Sequence, residues 1–156
     1  MQNLVPNDGP GANLALWTAE AVTATSPQLA YSATSGADSK PGGTLSATGA
    51  SGSVYAQTVL DVSQENALLL SVIAKASSAT PTLVPFNVLF KDSNGNTIVT
   101  STPIASAAAP TSAVHFNAVI AVPDGAVQAV VEYCTLSWSS TGGFSVIMQS
   151  PVVGAF

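Results

Sequence analysis

Charge is scarce in this chain. Only 7% of its 156 residues are Asp, Glu, Lys or Arg, against ~25% in ordinary soluble domains. There are three lysines, Lys40, Lys75 and Lys91, no arginine, and a net charge of −5. Nucleic-acid binding needs cations to neutralise phosphates, so the sequence argues against it. An anionic membrane surface is disfavoured for the same reason. Arginine is also a preferred interface anchor, so partner contacts must rest on aromatic, methionine and backbone groups.

Cysteine is nearly absent too. Cys134 is the only one, so no intrachain disulfide forms. It sits in the strand-like run AVVEYCTL, where a buried, inert thiol is expected. The single histidine, His115, is not placed beside it by any sequence spacing, so a Cys–His catalytic pair is disfavoured. Long apolar runs are missing: NALLLSVIAKA is too short to span a bilayer. MQNLVPNDGP has no cation and no apolar core stretch, unlike a signal peptide. The expectation is a soluble chain made without its own export signal.

What is present is apolar and neutral. Hydrophobic residues, Ala included, make up 47% of the chain, and Ser, Thr, Asn, Gln, Gly and Pro make up most of the rest. Disordered chains combine low hydrophobicity with high charge, so disorder is the wrong class. The length supports one domain over residues 1–156 with a buried core. A surface this poor in charge stays soluble through neutral polar groups or by being covered by neighbours.

Short strand-like segments follow one another, separated by Gly, Pro, Asn and Ser. Residues 1–27 read as an irregular N-terminal segment, in which LALWTAEAV, Leu14 to Val22, is irregular or strand with Trp17 packed inward. LAYSAT, TLSATGASGS, VYAQTVLDV, ALLLSVIAKA, LVPFNVLFK, NTIVTS, AVHFNAVIAV, AVQAVVEYC and GFSVIMQS read as strands. Pro85 makes LVPFNVLFK an edge or bulged strand. No window carries a sustained helical period with caps. The fold class is all-β: an antiparallel β-sandwich of jelly-roll type with about eight to ten strands. PIASAAAPTS, residues 103–112, reads as a surface loop, with Ile104 and Pro110 as candidate inter-subunit contacts. Residues 151–156 read as an apolar tail whose Val152, Val153 and Phe156 need a neighbour to dock on.

DSNGN, Asp92 to Asn96, looks at first like a calcium loop. An EF-hand-type loop starting there would need Gly sixth and Glu twelfth, where Thr97 and Pro103 stand. Its Asn-Gly closes a hairpin instead. The eight acids are scattered: Asp8, Glu20, Asp38, Asp61, Glu65, Asp92, Asp124 and Glu132. Most fall in turns, and Glu132 is expected to alternate outward between Val131 and Tyr133. No catalytic signature appears, and the expectation is a non-enzyme.

The order of segments resembles a known pattern. NLVPN, a Trp at position 17, QTVLDV, SQENALLLSVIAKA, PFNVLFKDSNGNTI and NAVIAVPDGAVQAVVEY look like the strands and turns of family 4/9-type carbohydrate-binding modules. Similar jelly rolls occur in phage tails and capsids. The resemblance implies the sandwich and, through exposed aromatics, glycan binding. Trp138, beside the Gly turn of SWSSTGG, and Tyr31 are the candidate stacking residues. The Phe-Glu that follows the opening in those modules, whose Glu often contributes to a structural calcium, is replaced here by GPGA, so no cofactor is expected; the alternative is a structural calcium with Asp8 or Glu20 in place of that acid.

Two functions follow as expectations. The first is a non-catalytic virion subunit, a capsid decoration (cement) or tail accessory protein. It would bind the major capsid protein or other virion proteins, form a homo-oligomer, and reside in virions assembled in the host cytoplasm. The alternative is an extracellular carbohydrate-binding module that holds glycans by aromatic stacking.

Overall fold

The computed structural model describes residues 2–3, 16–32 and 42–156. The NLVPN and GPGA motifs, Asp8, Asp38 and Lys40 lie outside the described residues, apart from the backbone of Asn3.

Among the described residues there are twelve strands: β1 Gln2–Asn3, β2 Thr18–Val22, β3 Thr25–Ser32, β4 Gly42–Gly49, β5 Gly52–Asp61, β6 Ala67–Ala76, β7 Thr82–Lys91, β8 Thr97–Ser101, β9 Ala107–Ala108, β10 Val114–Ala121, β11 Gln128–Trp138 and β12 Gly142–Ala155. Ten of them have five residues or more. They form two antiparallel sheets. Sheet A runs β10-β6-β12-β4-β3, with β1 also on β12; sheet B runs β2-β5-β11-β7-β8, with β9 also on β7. This is the expected antiparallel β-sandwich.

Strict alternation makes the sandwich. β6 buries Leu68, Leu70, Val72, Ala74 and Ala76 and turns Leu69, Ser71, Ile73 and Lys75 outward. β7 and β11 supply Phe86, Val88, Phe90, Val131, Tyr133 and Leu136 from the facing sheet. Each fully buried Leu or Phe stabilises the fold by about 1.5–3 kcal/mol. Gly52 takes the tight bend into β5: a Cβ there would lie 2.5 Å from Ala24 N and 2.6 Å from Val22 O.

Tyr133 ties the two layers together. Its ring packs between Trp17 and Phe86, each centroid 4.8 Å away. Its hydroxyl crosses to sheet A at the bulge of β12, where pairing with β6 slips between Gln149 and Val152. There it donates to Val152 O at 2.5 Å and accepts from Ser71 N at 3.2 Å. The hydroxyl thus fills a gap in the ladder that the bulge opens. Burial raises its pKa well above the usual phenol value.

Several sequence expectations are corrected. Residues 1–27 are not irregular throughout, because β2 and the start of β3 lie within them. Their Thr and Ala content gives a weak strand signal that pairing with β5 and β4 overrides. Residues 151–156 are not a free tail. Pro151 looks like a terminator but sits in the β12 bulge, and the strand resumes beyond it. Val153 is 0% exposed in this chain's own core, while Phe156, 52% exposed, ties its backbone to Asn66 and Ala67. Val152 is half-buried and carries the carbonyl that Tyr133 binds. In the 103–112 loop, Ile104 packs on the core and Pro110 O accepts from Ala76 N at 2.6 Å. β7 is interior rather than an edge strand. Its outer partner is β9 at Thr82–Leu83 and β8 from Val88 onward, and Pro85 falls in the gap between them.

Candidate functional site

β11 sits at the centre of sheet B, with Ala129, Val131 and Tyr133 turned to the core and, beyond a bulge that shifts the alternation by one, Leu136 and Trp138. Glu132 points outward, opposite Gln57 of β5 on one side and Asn87 of β7 on the other. Gln57 in turn lies opposite Thr18 of β2. Residues directly opposite in a ladder share a face. Thr18, Gln57, Glu132 and Asn87 therefore form one row across the outside of the sheet. Thr102 extends it just beyond β8, its hydroxyl donating to Asn87 Oδ1 at 2.9 Å. With strands 4.7–4.9 Å apart, the row is about 19 Å long.

One end of the row is ordered by hydrogen bonds. Asn87 Nδ2 donates to Glu132 Oε2 at 2.8 Å. The bond from Thr102 fixes which end of the Asn87 amide is the acceptor and so aims its NH₂ at Glu132. Glu132 Oε1 has no hydrogen-bond partner among the described residues. At the far end, Thr18 Oγ1 approaches Glu20 Oε1 and Gln57 O, both at 3.5 Å.

An aromatic ring stands beside this row. Tyr55 of β5 is opposite Glu20 of β2. On its other side β11 bulges, with the pairing slipping between Tyr133 and Leu136, so that Cys134 and Thr135 face Tyr55 alone. Cys134 adopts a left-handed backbone, φ 55°. Bulges often re-aim side chains next to binding sites. Tyr55 is half-buried, and its pKa is raised first by desolvation and then by the charges of Glu132 and Glu20. Both carboxylates therefore act on one phenol. Burial pushes the Cys134 thiol up to about 12, so it is inert. Thr135 Oγ1 is buried here with no hydrogen-bond partner.

The residues expected from sequence to stack on a sugar are separated by the fold. Trp138 is corrected: it is 6% exposed, its ring packs on Phe144 at 5.2 Å, and its Nε1 donates to Gly49 O at 3.3 Å. The strand β11 runs as far as Trp138 and turns it inward, which the neighbouring Ser and Gly residues concealed. Tyr31 is 38% exposed on β3 in the other sheet, opposite Gly43. The two do not meet. The row in sheet B was not read from the sequence apart from the outward turn of Glu132. Alternation within VYAQTVLDV and LVPFNVLFK put Tyr55, Gln57 and Asn87 on one side of each strand, but register across strands is not written in either segment.

Other constellations are weaker. On the outside of sheet A, Ser71 Oγ and His115 Nε2 are 2.9 Å apart and exposed. A nucleophile–base pair also needs a group to orient the base, and no carboxylate bonds this ring among the described residues. No cluster of three or more His, Cys, Asp or Glu suited to a metal occurs among the described residues. DSNGN is a hairpin turn, with Asp92 Oδ1 accepting from the backbone N–H groups of Asn94 and Asn96 at 2.9 Å each.

No family model matches the sequence, and no curated protein matches it either. Solved structures do share the fold. The enzymatically active domain of tailspike protein 4 from bacteriophage CBA120 is 18% identical with a TM-score of 0.69, over 99% of this chain and 21% of that one. A carbohydrate-binding module from the β-sandwich superfamily is 9% identical with a TM-score of 0.71, over 91% of this chain and 58% of that one. The CBM22-1 xylan-binding domain of Paenibacillus barcinonensis Xyn10C is 16% identical with a TM-score of 0.59, over 96% of this chain and 89% of that one. This chain thus spans about a fifth of the tailspike and little more than half of the second protein. Its architecture is the jelly-roll sandwich of carbohydrate-binding modules.

Proposed function

We propose that this chain is a non-catalytic glycan-binding module and that the outside of sheet B is its binding face. The observation that carries the reading is the row Thr18–Gln57–Glu132–Asn87–Thr102 with Tyr55 beside it. Sugars present hydroxyls along their edges and C–H faces above and below the ring. Carboxylate and amide groups set by neighbours accept and donate to the hydroxyls at little ordering cost. Tyr55 offers a ring face for the C–H side while its hydroxyl stays polar. The likeness to carbohydrate-binding modules, among them a xylan-binding domain, supports the same reading. The test is a glycan array followed by calorimetry on the hits. Binding that is lost in Tyr55→Ala supports the reading; an array with no hits, or hits insensitive to Tyr55→Ala and Glu132→Gln, contradicts it.

A second reading is favoured by one finding, the likeness to a phage tailspike domain over nearly the whole chain. In it the module is a virion subunit that forms an oligomer with copies of itself or with other particle proteins. The low charge of the chain fits a surface covered by neighbours. Light scattering tests it: a stable oligomer that ignores every sugar supports this reading over the first. The two are compatible if the particle uses the face to hold a host glycan.

A further inference from the structure

We infer that the outside of sheet B selects uncharged glycans and rejects acidic ones, with Glu132 and Glu20 as the residues that set this selectivity. The inference rests on the reading that this face binds glycans. It starts from the charges present there. Two carboxylates, Glu132 and Glu20, lie near enough to Tyr55 to act on its phenol. Their other neighbours across the row, Thr18, Gln57, Asn87 and Thr102, are neutral.

The two lysines among the described residues lie elsewhere. Lys91 is on the same face of β7 but four residues beyond Asn87, opposite Gln128. At ~3.4 Å per residue that is about 14 Å along the strand, beyond the ~8 Å screening length at physiological salt. Lys75 lies on β6 of sheet A. Among the described residues, no lysine adjoins the row.

The donor and acceptor pattern points the same way. The relay from Thr102 through Asn87 occupies Glu132 Oε2 and leaves Oε1 to accept. An outward carboxylate oxygen suits the hydroxyl donors of a neutral sugar. A uronate, sulfate or sialic acid brings acceptors only at its charged group, and a like charge placed against Glu132 or Glu20 is repelled. Like-charge juxtaposition in a binding site costs several kcal/mol when desolvated and less when solvated. The expected discrimination is therefore about tenfold or more at low salt.

The experiment uses the full chain and matched hexasaccharides: cellohexaose against β-1,4-glucuronate hexamer, and β-1,4-mannohexaose against β-1,4-mannuronate hexamer, within a broader array. Calorimetry is run at 20 mM and 300 mM salt, on the parent chain and on Glu20→Gln with Glu132→Gln. The expected result is binding of a neutral member, with its acidic counterpart about tenfold weaker. That gap narrows in high salt and closes to within a few-fold in the double variant. Equal or tighter binding of the acidic member overturns the selectivity while leaving glycan binding intact. A gap unchanged by salt and by the double variant overturns the roles of Glu20 and Glu132. Binding of no glycan of either kind overturns the reading itself and the inference with it.

Discussion

Sheet B turns a row of Thr, Gln, Glu and Asn outward beside Tyr55, with Thr102, Asn87 and Glu132 linked by hydrogen bonds. Sheet A, with the same strand spacing and the same alternation, turns out Ser71, Ile73, His115, Asn117 and Val119, with a Ser71–His115 contact here and a separate Thr25–Thr48 pair toward its β3 edge. The core-facing sides are both apolar and largely buried, sheet A supplying mostly aliphatic side chains and sheet B the fully buried aromatic ones. The difference arises at residues that the core does not constrain. On sheet A the outward set is mixed, as a solvated sheet allows. On sheet B the outward set carries a relay three side chains long that fixes a carboxylate in place. Outward order that packing does not require is a sign of function.

The largest effects should come from removing what only sheet B has. Tyr55→Ala should weaken glycan binding by about a hundredfold, near 2.7 kcal/mol, while leaving the melting temperature within a few degrees, since the ring is half-buried. Calorimetry and thermal melts on the same preparation check both halves. A comparable effect, on stability instead, is expected one residue beyond Glu132, on the core side of β11. Tyr133→Phe strips the partner from Ser71 N–H and Val152 C=O at the β12 bulge. Leaving two buried groups unsatisfied should cost about 2–4 kcal/mol, lowering the melting temperature by roughly 5–10 °C, with glycan affinity nearly unchanged.

A middling effect should come from the relay. Asn87→Ala frees the Glu132 carboxylate and should weaken glycan binding about tenfold, or 1.4 kcal/mol, which the same titration reads. The matching change on sheet A, Asn117→Ala, should leave affinity within twofold. An equal loss in both would erase the distinction between the faces.

The smallest effect concerns pH. The pKa of Asp92 is lowered mainly by the N–H of Asn96, and that of Asp61 by Ser63. A carboxylate with a lowered folded-state pKa stabilises the fold above its unfolded pKa, and that stability is lost as pH falls through the folded value. Chemical denaturation should therefore be flat from pH 7 to about 5 and weaken below about 4. Asp92→Asn should flatten the acid limb slightly, because both groups are fully exposed and screened.

Much of the fold was legible because alternation at period two is clear in LVPFNVLFK and AVHFNAVIAV, and Asn-Gly marks a hairpin in DSNGN. The misreadings occurred where a local signal met a bulge. Pro151 looked like an end but lies in a bulge of β12, and Pro85 looked like an edge but lies between two outer partners of β7. Trp138 looked exposed because Ser and Gly follow it, yet β11 carries it inward as its last residue. The candidate site was almost illegible for a different reason. Thr18, Gln57, Asn87 and Glu132 lie on four strands far apart in sequence, and only register aligns them.

The most direct test of the claim that sheet B is the binding face is an isotope-edited NMR titration with the best glycan from the array. The account predicts amide shifts at Glu20, Tyr55, Gln57, Asn87, Glu132 and Thr102, with His115, Asn117 and Val119 unmoved. Shifts that gather on the outside of sheet A, or spread over neither face, would contradict it.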